Sequence, residues 1–315
     1  MTNNPKSITA IWMESWLEEG KGGRGTRQRA HSTFGQVDDI ATKGRWGNVT
    51  PENITLRQAK KYVQERIKAG VTIRAIESDL SAIRKAMRGA GRKIDADNWS
   101  RERLGLPSAS RKGSGFPMPD DVLSLALMLA SRAIRACIAL IEVLGLRQNE
   151  LVECRDSLVD WERALRIGGP SIELIAGAKG GRPRVIFILA EHRAAAYLAV
   201  VEMLAITDGG KGHPIREATS GGAAVDKFSK ELAKIGIKGE YSCHSLRRRF
   251  ALRQYRGYLY LGYQPRIALK RLALDLGHGE KRGRWVLNNY LINALTEEEM
   301  SPFARRGRPP KVKSS

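Results

Sequence analysis

Two stretches between residues 50 and 105 have the apolar spacing of amphipathic helices. The first begins at Thr55, which forms the pattern of a capping box with Gln58, and its apolar positions are Leu56, Ala59, Val63 and Ile67. The apolar positions of the second are Ile73, Ile76, Leu80, Ile83 and Met87. Steps of three and four residues place each set on one side of a helix. The pattern therefore predicts a small helical domain in this part of the chain.

The pattern changes twice in the second half of the chain. After Pro119, an apolar run up to residue 146 is interrupted by Ser131, Arg132 and Arg135, which predicts two buried helices. Short β-branched runs between Gly and Pro residues then predict a small antiparallel sheet over residues 158–190; these runs are ALRIGG, SIELIAG and RPRVIFIL. Helical spacing returns afterwards. The expected fold class is mainly α with a small antiparallel β-sheet (α+β).

Breaks in the pattern divide the chain into five parts. Residues 1–30 are expected to be a flexible or partly helical lead, because the apolar ITAIWMESWL precedes EEGKGGRGTRQR, which has the composition of a flexible basic connector. A helical domain over residues 31–105, a linker rich in Gly, Ser and Pro over residues 106–119, and a second domain over residues 120–300 follow. Residues 301–315 are expected to be a basic tail, disordered in isolation.

The charge of the chain narrows its class of partner. With 54 Lys and Arg against 33 Asp and Glu in 315 residues, the formal net charge is +21, which favours a polyanion such as DNA or RNA. The chain has no apolar run of about 18 residues, so no membrane span is predicted. The N-terminus lacks the apolar core of a signal peptide. Cys137, Cys154 and Cys243 lack the spacing of a disulfide framework, so a reduced, cytoplasmic protein is expected.

Four polar side chains in the C-terminal third suit chemistry at a phosphodiester. His244 and Arg247 lie three residues apart, so a helix places them on one face; His278 follows a Leu-Gly pair, and Tyr290 lies in the apolar segment NNYLINAL. A guanidinium binds two phosphate oxygens at once, an imidazole donates hydrogen bonds, and a phenol is a nucleophile. Each of these residues alone is more often a surface pair or a packing residue.

Taken together, the motifs resemble those of the tyrosine recombinase (phage integrase) family. HSLRR, LGH and a later tyrosine are similar to its C-terminal signature. LIEVLGLRQNELVEC is similar to its "TGLR..EL" box and supplies Arg147, with Glu150 one turn later. The family lysine lies on a β-hairpin, where SIELIAGAKGGRPRVIFI offers Lys179. The resemblance covers residues 120–295 firmly and the N-terminal part loosely.

The resemblance implies a role for each of these side chains. Tyr290 would attack the phosphorus and become joined to the 3′-phosphate, while Arg147 and Arg247 would bind the two non-bridging oxygens. Lys179 would protonate the leaving 5′-oxygen, and His244 would assist proton transfer. Because a phenol is mostly protonated at neutral pH, the nearby cations would favour its phenolate in the transition state.

Two further roles complete the implied reaction. His278 would donate a hydrogen bond to a phosphate oxygen, and Glu150 would orient its neighbours. The reaction would need no metal or other cofactor and no ATP, since guanidinium and imidazole donors bear the developing charge and the covalent link keeps the energy of the phosphoester.

The resemblance also implies partners. They are double-stranded DNA at attachment or recombination sites, a homotetramer formed on that DNA, and accessory DNA-bending proteins; the source would be a phage or another mobile element. The helical N-terminal domain looks like the family's core-binding domain, one arm of a DNA clamp, with candidate DNA contacts at Arg74, Arg84, Lys85 and Arg88. Two alternatives stay open: a type IB topoisomerase, and a DNA-binding relative that has lost activity.

Two features depart from this pattern or extend it. The spacing from His278 to Tyr290 is longer than the family's commonest spacing, because of the basic segment EKRGRW, which either lengthens a loop or delivers the tyrosine to a neighbouring protomer's site. Near the C-terminus, Arg306 and Arg308 flank a glycine as in the core of an AT-hook, which binds the narrow minor groove of A·T tracts. A generic basic tail is the alternative.

Overall fold

A computed structural model describes five stretches of the chain, residues 7–20, 22–107, 115–177, 183–215 and 220–303. The chain divides into two compact units, Met1–Ser110 and Arg111–Ser315, and each unit has its own apolar core. Within the described stretches, every helix is too short or too polar to cross a membrane.

The described part of the first unit is helical. Its helices are α1 (Ile8–Glu18), α2 (Arg24–Lys43), α3 (Leu56–Lys68), α4 (Ile73–Gly89) and α5 (Lys93–Asn98). The predicted capping box begins α3, where the Gln58 N–H donates to the Thr55 hydroxyl at 3.2 Å and the Thr55 N–H donates to the Gln58 side chain at 2.8 Å. The predicted apolar face of α4 is buried at Ile76, Leu80, Ile83 and Met87. Both predicted helices are confirmed.

The expected flexible connector near the N-terminus is wrong for most of its length. Helix α2 already begins at Arg24, inside that segment. The reason lies in α1, where Trp12 and Trp16 are four residues apart and both rings are buried. The Trp12 ring stacks on Phe34 of α2, with the ring centroids 5.1 Å apart. These large apolar contacts fix α1 and α2 against the rest of the unit.

The second unit is also mainly helical. In chain order, its elements are α6 (Asp120–Leu129), α7 (Arg132–Leu144), α8 (Gln148–Val152), α9 (Leu158–Arg166), β1 (Ser171–Leu174), β2 (Arg184–Phe187), α10 (Arg193–Ile206), α11 (Gly221–Lys234), α12 (Cys243–Tyr260), α13 (Pro265–Asp275), α14 (Gly283–Val286) and α15 (Glu297–Met300). Strands β1 and β2 pair antiparallel, with Ser171 opposite Phe187 and Leu174 opposite Arg184. The mainly α fold with a small antiparallel sheet is confirmed.

Two local predictions in this unit are wrong. The run ALRIGG is the end of helix α9 and the turn after it, because Trp161 and Leu165 lie four residues apart and are buried together on one helical face. Of the two helices expected to be buried after Pro119, α7 is buried, but α6 exposes Leu125, Met128 and Leu129. An apolar composition alone does not reveal which side of α6 meets the core.

Candidate active site

Arg247 is the most deeply buried cation of the site, with only 1% of its surface exposed. It lies in the second turn of α12, the long helix that passes through the core of the second unit. Its Nε donates to the Tyr290 hydroxyl at 3.2 Å, one terminal nitrogen donates to the Leu276 carbonyl at 2.6 Å, and the other donates to the Gly145 carbonyl. Every nitrogen of this guanidinium therefore has a partner, and one partner is the candidate nucleophile.

Arg147 reaches the same place from the turn between α7 and α8. Gly145 ends α7 in the left-handed conformation, at φ 61°, which glycine adopts without strain. The chain then turns so that Arg147 donates to the Leu276 carbonyl at 2.7 Å. Glu150, one turn further and fully buried, accepts from the Arg147 guanidinium and, at 2.7 Å, from the Arg147 backbone N–H. This carboxylate holds Arg147 in a fixed orientation.

His278 faces Tyr290 from the turn after α13. Gly277 has a φ of +65° and lets the chain reverse immediately after the helix. The His278 Nε2 lies 3.3 Å from the Tyr290 hydroxyl, and the Trp285 ring contacts the imidazole, with centroids 4.4 Å apart. The indole also contacts the phenol, with centroids 6.0 Å apart, so the three rings form one cluster.

Tyr290 lies in a turn of π-helix, Leu287–Leu291, that directly follows α14. The Ile292 N–H donates to the Leu287 carbonyl, five residues back, at 2.8 Å. Such turns are rare and frequently occur at functional sites. The phenol is only 3% exposed, and the cations around it belong to the same chain. His244, in the first turn of α12, completes the cluster with its ring centroid 5.0 Å from that of Tyr290.

The cations of the site depress the proton affinity of their neighbours. Desolvation, then the charges of Arg248, Arg247 and Arg147, lowers the pKa of His244 to about 3. The imidazole is therefore neutral at pH 7. Burial and the charge of Arg147 lower the pKa of Arg247, while Tyr290 acts in the opposite direction; the arginine stays cationic at neutral pH.

A third arginine, which sequence reasoning missed, joins this cluster. Arg184 is the first residue of β2, is 8% exposed, and donates to Glu150 at 2.8 Å and to the Gly145 carbonyl at 3.3 Å. In the sequence it looks like one more basic residue of a basic hairpin. The alternation of the strand was the usable signal, because it places Arg184 on the same buried side as Ile186 and opposite the exposed Val185.

Asp275, at the end of α13, ties this turn to the strand. Its carboxylate accepts from the Phe187 backbone N–H at 3.1 Å, from the Tyr258 hydroxyl at 2.6 Å and from the Gln254 amide at 3.3 Å. Burial raises the pKa of Asp275 to about 6, against the hydrogen bonds, which lower it. These hydrogen bonds hold strand β2, which follows the Lys179 segment, against the end of α13, from which a turn leads to His278.

The comparisons with known proteins agree with this architecture. The sequence model of the integrase family matches residues 105–253, a range that includes Arg147, Glu150, His244 and Arg247. Over this range the chain is similar to the integrases of the tyrosine recombinase family. Compared with curated protein sequences, the chain has no significant match.

Solved integrase structures share the fold of this chain at low sequence identity. A Tn1549 transposon integrase in complex with transposon right end DNA has a TM-score of 0.61 at 13% identity, with 95% of this chain and 98% of that chain covered. A lambda integrase tetramer bound to a Holliday junction has a TM-score of 0.56 at 17% identity, with 88% and 82% covered. A lambda integrase dimer bound to a COC′ core site has a TM-score of 0.56 at 18% identity, with 88% and 94% covered.

The structure brings together Arg147, Glu150, His244, Arg247, His278 and Tyr290, as the sequence motifs predict for a common site. Lys179, Arg306 and Arg308 lie outside the described residues. In the described part of the chain, no group of three or more His, Cys, Asp or Glu side chains is placed to hold a metal ion.

The four candidate DNA contacts of the first unit differ in their surroundings. Lys85 lies over the Trp16 ring, 3.2 Å from its centroid, and donates to the Gly20 carbonyl at 2.7 Å. Arg88 bridges Glu19 at 3.1 Å and Asp97 at 3.2 Å, and Arg84 donates to the carbonyl of Leu80 at 3.2 Å. Arg74 is exposed. Lys85, Arg88 and Arg84 thus have contacts within the unit, and all four residues remain predictions as DNA contacts.

Proposed function

We propose that this protein is a site-specific recombinase that cleaves and rejoins double-stranded DNA at specific sites through a 3′-phosphotyrosyl intermediate. The observation that carries the proposal is the position of the Tyr290 hydroxyl, 3.2 Å from Arg247 and 3.3 Å from His278 in a cluster of cations. A buried phenol surrounded by hydrogen-bond donors is suited to attack an anionic centre, because the same cations stabilise both the phenolate and the pentacoordinate phosphorus.

The proposed cleavage step exchanges one ester bond for another. The Tyr290 oxygen attacks the phosphorus, and its proton passes to His278 Nε2 in the tautomer protonated on Nδ1. The bond from phosphorus to the 5′-oxygen breaks, and Lys179 gives its proton to that oxygen. Attack by the 5′-hydroxyl of a second strand reverses these transfers, so rejoining requires no ATP and no added metal.

The arginines would act on the non-bridging oxygens. Arg147 and Arg247 both donate to the Leu276 carbonyl, at 2.7 and 2.6 Å, so their guanidinium groups converge. Glu150 keeps Arg147 oriented, which preorganises the donors before the charge develops. His244, neutral at pH 7, would assist proton transfer.

The assembly and source are proposed on the same basis. The similar structures are integrases bound to DNA, among them a tetramer on a Holliday junction. We propose that this recombinase acts on attachment or recombination sites in double-stranded DNA as a homotetramer, with accessory DNA-bending proteins, and that it serves a phage or another mobile element in the cytoplasm of its host.

A covalent-capture experiment tests this function. The protein is incubated with nicked suicide duplexes from a library with randomised cores, and protein-linked DNA is recovered under denaturing conditions. Wild type should give an adduct, Tyr290→Phe should give none while binding DNA as before, and Tyr260→Phe, which changes a 90% exposed phenol, should behave as wild type. An adduct with Tyr290→Phe would show that the nucleophile is another residue.

The same duplexes distinguish the alternatives. Exchange of strands between two labelled duplexes identifies a recombinase, whereas relaxation of supercoiled DNA by a monomer, without exchange, identifies a type IB topoisomerase. Tight binding of a selected duplex with no adduct identifies an inactive DNA-binding relative.

A further inference from the structure

Arg184 is an unusual cation because it is nearly buried and only partly satisfied. One terminal nitrogen donates to Glu150 and to the Gly145 carbonyl. Its Nε and its other terminal nitrogen, Nη1, are both buried and have no hydrogen-bond partner among the described residues. Buried donors without acceptors are costly and uncommon. An acceptor that binds at this position would remove the cost.

The charges around Glu150 also call for an anion. Arg184 lies 2.8 Å from this carboxylate, Arg147 contacts it, and Arg247 lies 3.5 Å from it. Three guanidinium groups thus surround one buried carboxylate. Even with Asp275, a second buried carboxylate whose pKa the charge of Arg184 lowers, one positive charge has no buried counter-ion among the described residues. Burial, then the charge of Arg247, lowers the pKa of Arg184 to about 9, so Arg184 is still cationic at neutral pH.

The unpartnered side of Arg184 meets Arg147 beneath the turn at Gly277. A side chain on residue 277 would begin 3.3 Å from Arg184 Nη1 and 3.4 Å from Arg147 Nη1. Both terminal nitrogens therefore lie close together on one side of Gly277, where a Cβ atom would also come within 2.9 Å of Arg184 Cδ. Both arginines, with Gly277 and His278, line a cleft of about 1060 Å³. An oxyanion that reaches this part of the cleft would meet both arginines.

We propose that Arg184 is a third guanidinium for the scissile phosphate, binding a non-bridging oxygen together with Arg147. This inference rests on the proposed recombinase function. The phosphoryl group would supply the acceptor that Nη1 lacks and the negative charge that the cluster lacks. Arg184 would therefore touch the reacting group, in addition to its contact with Glu150.

The test compares Arg184→Met with wild type on two forms of a duplex that wild type captures covalently. One form has a normal scissile phosphate; the other has a methylphosphonate there, which lacks one negative charge. On the normal duplex the cleavage rate should fall about a hundredfold, the effect of losing one preorganised donor to an oxyanion. On the methylphosphonate the deficit should shrink to about tenfold or less, because bonds to uncharged acceptors are roughly half as strong.

Arg253→Met is the matched control. Arg253 is also a largely buried arginine with an unpartnered Nε, but it lines a different cavity and donates to the Glu142 carbonyl. It should leave the ratio of the two cleavage rates unchanged. Arg184→Lys, which keeps the cation, should cleave the normal duplex faster than Arg184→Met. If Arg184→Met does not fold, Arg184→Lys takes its place in the test. Its cleavage rate should fall less on the normal duplex, and the deficit relative to wild type should again be smaller on the methylphosphonate.

Two outcomes would overturn the inference while leaving the recombinase function intact. One is an Arg184→Met protein that cleaves the normal duplex as fast as wild type. The other is an equal deficit on both duplexes, which would mean that Arg184 only supports the fold around Glu150. If wild type captures no duplex at all, the proposed function fails first, and this inference fails with it.

Discussion

Glu150 is the only carboxylate that the described residues place among Arg147, Arg184 and Arg247, so removing its charge should destabilise the second unit strongly. Glu150→Gln keeps the shape of the side chain. However, the amide retains one acceptor oxygen and turns a nitrogen donor towards guanidinium donors that are now 2.8 to 3.5 Å from a carboxylate oxygen. The buried Arg184 and Arg247 and the partly exposed Arg147 would then face one another without this carboxylate between them.

The expected loss follows from the burial of this cluster. Breaking a buried ion pair by removing one partner costs about 3 to 5 kcal/mol, because the remaining charge stays desolvated. Glu150 is fully buried and Arg184 nearly so, so the loss should lie within this range. For a unit of this size, Tm falls by about 2 to 4 °C for each kcal/mol, and a decrease of roughly 10 °C is expected.

Thermal unfolding of the full chain measures this effect. Glu202→Gln is the control, because Glu202 pairs with Arg132 at the surface, at 2.6 Å, and exposed pairs contribute about 1 kcal/mol or less. Inorganic phosphate, exchanged for chloride at constant ionic strength, should restore part of the stability of Glu150→Gln by binding the folded cluster. A Glu150→Gln protein within about 1 kcal/mol of wild type would refute the idea that this carboxylate balances the cluster.

Two further predictions concern Asp275 and the tail. Because burial raises the pKa of Asp275 to about 6, its native carboxyl holds a proton that the unfolded chain has lost between pH 4 and 6. Wild type therefore loses stability as the pH rises through that range. In urea unfolding, the free energy of unfolding of Asp275→Asn should rise by about 3 kcal/mol relative to that of wild type between pH 4 and pH 7. A difference that does not change with pH would contradict the raised pKa of Asp275. If residues 304–315 contain an AT-hook, removing them should weaken binding to A·T-rich duplexes more than to G·C-rich ones, whereas equal losses would indicate a generic basic tail.

The elements that the sequence predicted are those whose signals are local. The capping box at Thr55 and the apolar face of α4 depend on spacings of three and four residues, which a helix turns directly into contacts. The site residues were identified from the order of their motifs along the chain. That order does not show that their side chains meet in one place. Their convergence depends on long-range bonds, such as those from Arg147 and Arg247 to the carbonyl of Leu276.

The features that the sequence did not predict depend on which side of an element meets the core. Arg184 is buried because β2 turns it towards Glu150, although its sequence neighbours are basic and glycine-rich. Helix α6 is apolar on two sides, and only the fold shows that Met128 and Leu129 are exposed. The glycines after α1 favour a flexible connector. However, the buried Trp12 and Trp16 side chains stabilise the packing of α1 and α2, and this effect is larger.

The longer spacing between His278 and Tyr290 leads to a last prediction, about which protomer supplies the nucleophile. The intervening residues form a turn of helix at Glu280–Arg282, then α14, and then the π-turn. An extra residue in that turn rotates the following side chains by about 100° relative to an α-helix, and with this rotation Tyr290 meets Arg247 of its own chain. Attack in cis is therefore expected.

Mixed assemblies of two inactive variants test this arrangement. If each tyrosine serves its own site, a mixture of Tyr290→Phe and Arg247→Met contains no protomer with both groups and should form no adduct. If the tyrosine serves a neighbour's site, the phenol of an Arg247→Met protomer would enter a Tyr290→Phe site, and DNA would become attached to the Arg247→Met chain, which a size tag identifies. The second result would show that the contact between Arg247 and Tyr290 within one chain is a resting position, and that the added length between His278 and Tyr290 serves exchange between protomers.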